Sequence, residues 1–180
     1  GGDYYDFLLP RDESSLGLAI GDASGKGIPA ALLMASFQAA FHAEAESHVS
    51  PARVLERLNH LIIRQSRSER FVTFFYGLLD RESRVLTYAN AGHNPPLLVR
   101  KDGTTTTLDD AGLLLGVNPD TRYENARVTL AEGDILLLYT DGVTDELSPG
   151  DEIFGIDRLR AVLGASANGP VAEILPAIYR

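Results

Sequence analysis

Residues 16–34 constrain the fold more than any other stretch, because an apolar run, a glycine-rich turn and a helix follow one another without interruption. The apolar run 16–20 predicts a strand, glycines 21, 25 and 27 punctuate a turn, and Pro29 stands where a helix would begin. Asp22 is the one acidic residue of the turn and follows the end of the predicted strand. A carboxylate held by glycine-rich backbone and facing a helix N-terminus is typical of metal and phosphate sites.

The phosphate-binding P-loop is the first alternative for this turn, since it also joins a strand to a helix. Its pattern needs four residues between the two glycines and a hydroxyl residue after the lysine. Only three residues separate Gly21 from Gly25, and Lys26 is followed by Gly27. The spacing therefore excludes a P-loop, while a turn without any function stays open as a second interpretation.

Size and composition predict a single domain over residues 1–180. The chain has 44% hydrophobic and 23% charged residues, as ordinary globular proteins do, and its net charge of −9 argues against a nucleic-acid partner. Cysteine is absent, which excludes disulfides and thiolate chemistry. The apolar runs are far shorter than a membrane span needs. We therefore expect no membrane insertion and a cytoplasmic location.

The order of the predicted elements indicates an α+β fold. Strands are predicted at 4–9 and 16–20, helices at 28–45 and from Pro51, then mostly strands from 71 to 140, and helices at 156–163 and 171–179. Such an order favours helices packed on largely antiparallel sheets. The helix 28–45 is apolar nearly all round, so we expect it to be buried between layers.

A second aspartate, Asp141, also follows an apolar run and precedes a glycine. If the strands before Asp22 and Asp141 are neighbours, their carboxylates converge, and the hairpin brings Asp3 or Asp6 towards Asp22. Two carboxylates about 4 Å apart repel by about 4 kcal/mol at an effective dielectric of 20, so such a cluster needs a cation. Oxygen ligands without cysteine favour Mg²⁺ or Mn²⁺. Two simple turns remain the alternative, and for Asp6 we favour an ordinary solvated carboxylate.

Histidine does not enter this predicted metal cluster. His93 lies in the loop 90–96, where we expect it to brace the loop by hydrogen bonds rather than bind a metal. His42, His48 and His60 lie on or beside helices and are expected at the surface. No arrangement of a nucleophilic triad is recognisable, so the chemistry is not predicted to be covalent.

Several stretches together resemble the SpoIIE/RsbU branch of the bacterial PPM-type metal-dependent serine/threonine protein phosphatases. They occur in the expected order over nearly the whole chain, and they are residues 1–7, 21–27, 71–73, 90–96, 139–145 and the pair Phe154 and Gly155. The resemblance implies an antiparallel β-sandwich flanked by helix pairs, with a two-metal site for Mn²⁺ or Mg²⁺. It also implies Asp22 as the bridging ligand, the Ala23 carbonyl as a second contact, and Asp141 and Asp3 as further ligands, so that Asp22 and Asp141 are the catalytic candidates.

The same resemblance implies a partner-switching pathway. The expected substrate is a phosphorylated anti-sigma-factor antagonist of the STAS type, with sensory domains upstream in the parent chain. No substrate-binding residue is predicted. The alternative is a catalytically silent PPM-fold module that binds a regulatory partner.

Two departures from the family pattern carry expectations of their own. Ser24 stands where eukaryotic relatives have a histidine proposed as general acid, so water is a candidate proton donor. The family also ends in a strand with an Asp-Asp metal-ligand motif that is absent here, and the chain begins inside the first motif. We therefore expect a fragment of a larger domain that lacks one metal ligand.

Overall fold

The computed structural model of the chain describes residues 2–9, 14–47, 50–65, 70–147 and 150–179. These residues form two compact units. The first comprises Gly1–His93 and Asp110–Thr129, and the second Asn94–Asp109 and Leu130–Arg180. Both contain antiparallel strands and helices, which confirms the predicted α+β class. That all 180 residues form one phosphatase domain stays a prediction.

The first unit contains a five-stranded antiparallel sheet with the order β1-β2-β3-β4-β7. Its strands are β1 (Asp3–Leu8), β2 (Ser15–Ala23), β3 (Val72–Asp80), β4 (Val85–Ala91) and β7 (Ala126–Thr129). The hairpin of β1 and β2 agrees with the prediction, but β2 extends past the predicted strand 16–20 and ends at Ala23. The extension forms because Asp22 and Ala23 pair with residues 73 and 72 of β3. Asp22 therefore belongs to the strand and not to the turn. The predicted turn at 10–15 lies mostly outside the described residues.

Helices α1 (Ile28–Ser47) and α2 (Pro51–Gln65) contact each other and lie against one face of this sheet. Aromatic rings fill the interface, with Phe74 packed edge to face against Phe37 at 4.7 Å and against Phe41 at 5.0 Å between ring centroids. Burial of one such side chain contributes about 1.5–3 kcal/mol to folding. α2 is amphipathic as predicted, since Val54, Leu55 and Leu58 are fully buried.

The expectation that α1 is buried all round is wrong. Leu33, Met34, Phe37 and Phe41 face the core, whereas Leu32 is 64% exposed. Much of the opposite side consists of alanines, which are also exposed. Alanine adds to the apolar character of a helix in the sequence, but its exposure to water costs little because its side chain is small.

The second unit contains a three-stranded antiparallel sheet with the order β6-β5-β8. Its elements are β5 (Leu97–Val99), β6 (Thr105–Thr107), β8 (Ile135–Leu137), α3 (Asp141–Thr144), α4 (Gly155–Ser166) and α5 (Val171–Ile178). Leu97 and Val99 form a core with Leu159, Leu163 and Ile174. Among the residues that the structure describes, no helix has the length and apolarity needed to cross a bilayer.

Candidate metal centre

Asp3 and Asp22 occupy directly opposed positions on the edge strand β1 and its neighbour β2. Side chains opposed in this way share a face of the sheet, with Cβ atoms about 5 Å apart. Asp3 is exposed and Asp22 is partly buried. The prediction that the hairpin places Asp3 near Asp22 is confirmed, because the antiparallel pairing of β1 with β2 sets these two residues opposite each other.

Gly2 lies where two oxygen atoms of β2 converge. A methyl group added to Gly2 would lie 2.5 Å from Oδ1 of Asp22 and 2.7 Å from the carbonyl oxygen of Ala23. Both oxygens therefore point into the same small space beside the Gly2 Cα atom. The Ala23 N–H also donates to the Gly2 carbonyl oxygen at 3.2 Å, which fixes the two backbones against each other. A recess lined by a carboxylate and a carbonyl oxygen suits a hard cation.

Thr73 and His93 support the backbone of Asp22. The hydroxyl of Thr73 donates to the Asp22 carbonyl oxygen over a long 3.5 Å and lies 2.9 Å from Nδ1 of His93. His93 is 2% exposed, and its N–H and carbonyl group are both bonded to the side-chain amide of Asn90, at 2.8 and 3.0 Å. The prediction that His93 braces its loop is confirmed. The sequence did not reveal Thr73 as the link.

Ser24 extends the pairing of β2 with the residues before β3. Its N–H donates to the Phe71 carbonyl oxygen at 2.9 Å, and its hydroxyl accepts the Phe71 N–H at 2.9 Å. Gly25 and Gly27 then adopt φ values of +97° and +73°, which turn the chain into α1. The hydroxyl of Ser24 thus has a structural partner.

Asp141 lies in the second unit, where it is the exposed first residue of the short helix α3. Its carbonyl oxygen accepts the N–H of Asp145 at 2.7 Å and the hydroxyl of Thr144 at 3.2 Å. The strands before the two aspartates, β2 and β8, belong to different sheets, so they are not paired neighbours within one sheet, and the convergence of Asp22 with Asp141 stays a prediction. The sequence could not distinguish two strand ends in one sheet from strand ends in two.

Within residues 2–9, 14–47, 50–65, 70–147 and 150–179, no three side chains of His, Cys, Asp or Glu form a metal-binding group. The predicted donors that lie together in the first unit are the carboxylates of Asp3 and Asp22 and the carbonyl oxygen of Ala23. These donors are all oxygen, as Mg²⁺ and Mn²⁺ prefer. They fit part of the predicted ligand set, and the contribution of Asp141 stays a prediction.

Comparison with known proteins places the chain in a family. A family model described as Stage II sporulation protein E (SpoIIE) matches residues 12–180. The phosphoserine phosphatase RsbU of Bacillus subtilis is 38% identical over 145 residues, which cover 80% of this chain and 43% of that protein. The chain thus spans less than half the length of this curated relative.

Solved structures show the same fold. The SiaA-PP2C domain of Pseudomonas aeruginosa matches with a TM-score of 0.87 and 26% identity, over 99% of this chain and 72% of that one. The RsbU and RsbW domains of a Mycobacterium tuberculosis protein match with a TM-score of 0.85 and 27% identity, over 99% and 51%. These likenesses confirm the predicted PPM phosphatase-like fold.

Proposed function

The chain belongs to the SpoIIE family of PPM-type phosphatase domains, and we propose that it hydrolyses phosphoserine or phosphothreonine in a protein substrate with two Mn²⁺ or Mg²⁺ ions. The observation that carries this proposal is the convergence of Asp22 Oδ1 and the Ala23 carbonyl oxygen beside Gly2, with Asp3 across the strand pair. Opposed carboxylates repel each other, so a cation stabilises the arrangement.

The proposed ligands are Asp22 as the bridge, the Ala23 carbonyl, Asp3 and Asp141. The ions, when bound, supply an activated water for in-line attack and neutralise charge on the phosphoryl oxygens. The carboxylates would act as ligands and need no covalent role, because water is the attacking group in such a mechanism. Asp22 and Asp141 are the residues on which we expect catalysis to depend most.

The protein itself contributes positioning. The backbone of β2 around Asp22 is fixed on one side by Gly2 and on the other by Thr73, which His93 holds in turn. A ligand held in this way loses little freedom on binding a cation, which strengthens the site. Because the Ser24 hydroxyl already accepts the Phe71 N–H, we assign the leaving-group proton to water rather than to Ser24.

The proposed substrate is a phosphorylated anti-sigma-factor antagonist of the STAS type in a partner-switching pathway. Support comes from the relative named phosphoserine phosphatase RsbU and from the structure that joins an RsbU domain to an RsbW domain. Since the chain covers 43% of RsbU, sensory domains elsewhere in the parent protein fit the same proposal. We propose that the reaction takes place in the cytoplasm.

Phosphate release from a phosphorylated antagonist, measured with Mn²⁺, with Mg²⁺ and with EDTA, tests the proposal. The wild type should release phosphate only with metal, and Asp22→Asn should lose most of this activity. Asp109→Asn is the matched control, since Asp109 is exposed and its side chain bonds to no other described residue. Release that persists in EDTA would contradict the metal mechanism. Metal binding without release from any phosphoprotein would instead favour the silent interaction module.

A further inference from the structure

The first unit contains a cationic cavity that is formed by α2 and the segment before β7. Its lining includes neither Asp3 nor Asp22. Its volume is about 410 Å³, and its lining residues are Arg53, Glu56, Arg57, His60 and Arg122. Three guanidinium groups surround one cavity in a chain whose net charge is −9. We propose that this cavity binds a small, polar phosphate monoester.

The α2 side of the cavity is preorganised by the helix. Arg53, Glu56, Arg57 and His60 follow the spacing i, i+3, i+4 and i+7, which places them on one face of α2. The other face is anchored, since Val54, Leu55 and Leu58 are each fully buried. The four polar side chains therefore project from a rigid element.

Arg122 is brought to the cavity by a segment that α2 holds at both ends. The fully buried Asn59 donates to the Asn118 carbonyl oxygen at 2.8 Å and accepts the Gly116 N–H at 2.8 Å. At the other end, Oδ1 of Asn125 accepts the Ala52 N–H at 2.9 Å. These bonds fix the path of the backbone on both sides of Arg122. The backbone on this side of the cavity is therefore held in place, as it is on the α2 side.

Glu56 organises two of the arginines. Its carboxylate lies 2.9 Å from the Arg53 guanidinium and 3.6 Å from that of Arg122, and its side chain is only 12% exposed. Arg57 and His60, by contrast, form no hydrogen bond or ion pair with any residue that the structure describes. The five residues carry a net charge of about +2 when His60 is neutral, which matches a phosphate dianion. Arg57 is the donor available to it in bidentate geometry.

The size and lining of the cavity indicate the rest of the ligand. Its volume lies within the range of small-molecule sites and exceeds the need of a single phosphate ion. Among the described residues, only charged and polar side chains line it, which suits a ligand whose remaining groups are mostly hydroxyls. A sugar phosphate or polyol phosphate satisfies both properties.

Calorimetric titration of the protein with glycerol 3-phosphate and glucose 6-phosphate, in EDTA and at low ionic strength, tests this assignment. EDTA removes any contribution from the proposed metal centre. At least one ester should bind, and Arg57→Gln should weaken that binding about tenfold or more. Arg64→Gln, on the same helix but outside the cavity, should bind as the wild type does, and so should Asp22→Asn.

Arg122→Gln provides a second variant on the opposite wall and should also weaken binding. The proposal is overturned if neither ester binds, or if both arginine variants bind like the wild type. Binding of a phosphoserine peptide without either small ester would equally overturn it. Because these titrations need neither metal nor turnover, their failure is distinct from failure of the proposed phosphatase function.

Discussion

Oγ1 of Thr73 lies 2.9 Å from Nδ1 of the buried His93, and the pair connects the loop after β4 to the strand beside Asp22. The Thr73 hydroxyl has one proton, which it donates to the Asp22 carbonyl oxygen at 3.5 Å. Both contacts are satisfied when Nδ1 of His93 carries a proton and donates to Thr73. His93 is thereby a positioning residue that acts on Asp22 through Thr73.

Replacing Thr73 by valine should loosen this connection. The substitution keeps the side-chain shape but removes the hydroxyl, so we expect a loss of about 1–2 kcal/mol in the free energy of unfolding. The Mn²⁺ affinity should fall as well, because the Asp22 backbone loses a support. Urea denaturation and Mn²⁺ titration measure the two effects. Thr106→Val, on an exposed position of β6, should change neither; equal affinity in both variants would contradict the positioning role.

A methyl group on Gly2 should fill the space proposed for a cation. In Gly2→Ala the new carbon would meet Asp22 Oδ1 at 2.5 Å and the Ala23 carbonyl oxygen at 2.7 Å, both too close for real contacts. We expect calorimetry to show Mn²⁺ binding weakened by about tenfold or more. Gly169→Ala is a suitable control, since its added carbon would lie at an ordinary 3.5 Å from Ser166. Unchanged Mn²⁺ binding in Gly2→Ala would mean that the cation lies elsewhere.

Removal of single carboxylates should rank the proposed ligands. Asp22→Asn should reduce kcat by about 100-fold or more and exceed the effect of Asp3→Asn or Asp141→Asn, because a bridging ligand holds both ions. His60→Ala should leave phosphatase activity near the wild-type value, as His60 is exposed on α2. Phosphate-release kinetics at saturating metal measure these effects. If Asp22→Asn retains most of the activity, the bridging role is wrong.

The local features of the site were predictable because they depend on neighbouring residues. The pairing of Asp3 with Asp22 follows from a hairpin whose strands alternate and whose register is fixed once one face is buried. The helix after Gly27 follows from the glycine turn and Pro29. Each of these signals lies within one hairpin or one turn of the feature that it predicts.

Contacts made by particular side chains were not predictable from one sequence. Thr73 and His93 are joined by one hairpin, as Asp3 and Asp22 are, but nothing in their immediate neighbours indicates that their side chains bond. Asn59 resembles any polar residue of an amphipathic helix, yet it is fully buried because it satisfies two backbone groups of another segment. That β2 and β8 belong to different sheets was not predictable for a similar reason, since the assignment of strands to sheets depends on the whole chain.

Asp6 should stabilise the protein in a pH-dependent way. The interpretation of Asp6 as an ordinary solvated carboxylate is wrong, because Oδ2 accepts a bond from the Tyr4 hydroxyl at 2.8 Å and lies 2.7 Å from Nε2 of His42 on α1. Partial burial raises the pKa of Asp6, but the bonds from Tyr4, His42 and the Phe7 N–H outweigh this and hold it below its usual value of 3.8.

The sign of the pH effect follows from this lowered pKa. A carboxyl group that is more acidic in the folded state stabilises the protein above its unfolded pKa, and the stabilisation disappears as the pH falls through the folded pKa. Asp6→Asn should therefore reduce the free energy of unfolding at pH 7 by about 1 kcal/mol or less, because the pair is partly solvated. As the pH is lowered below about 4, the wild type and the variant should converge.

Urea denaturation of both proteins over this pH range tests the assignment, with His42→Ala and the double variant completing a thermodynamic cycle. The cycle should give a coupling free energy between Asp6 and His42 at pH 7 that vanishes once Asp6 is protonated. Asp6 and His42 join β1 to α1 and are not among the proposed metal ligands. The single variants should therefore keep near wild-type phosphatase activity. A difference between wild type and Asp6→Asn that stays constant down to pH 3 would show that the carboxylate charge is not what stabilises this contact.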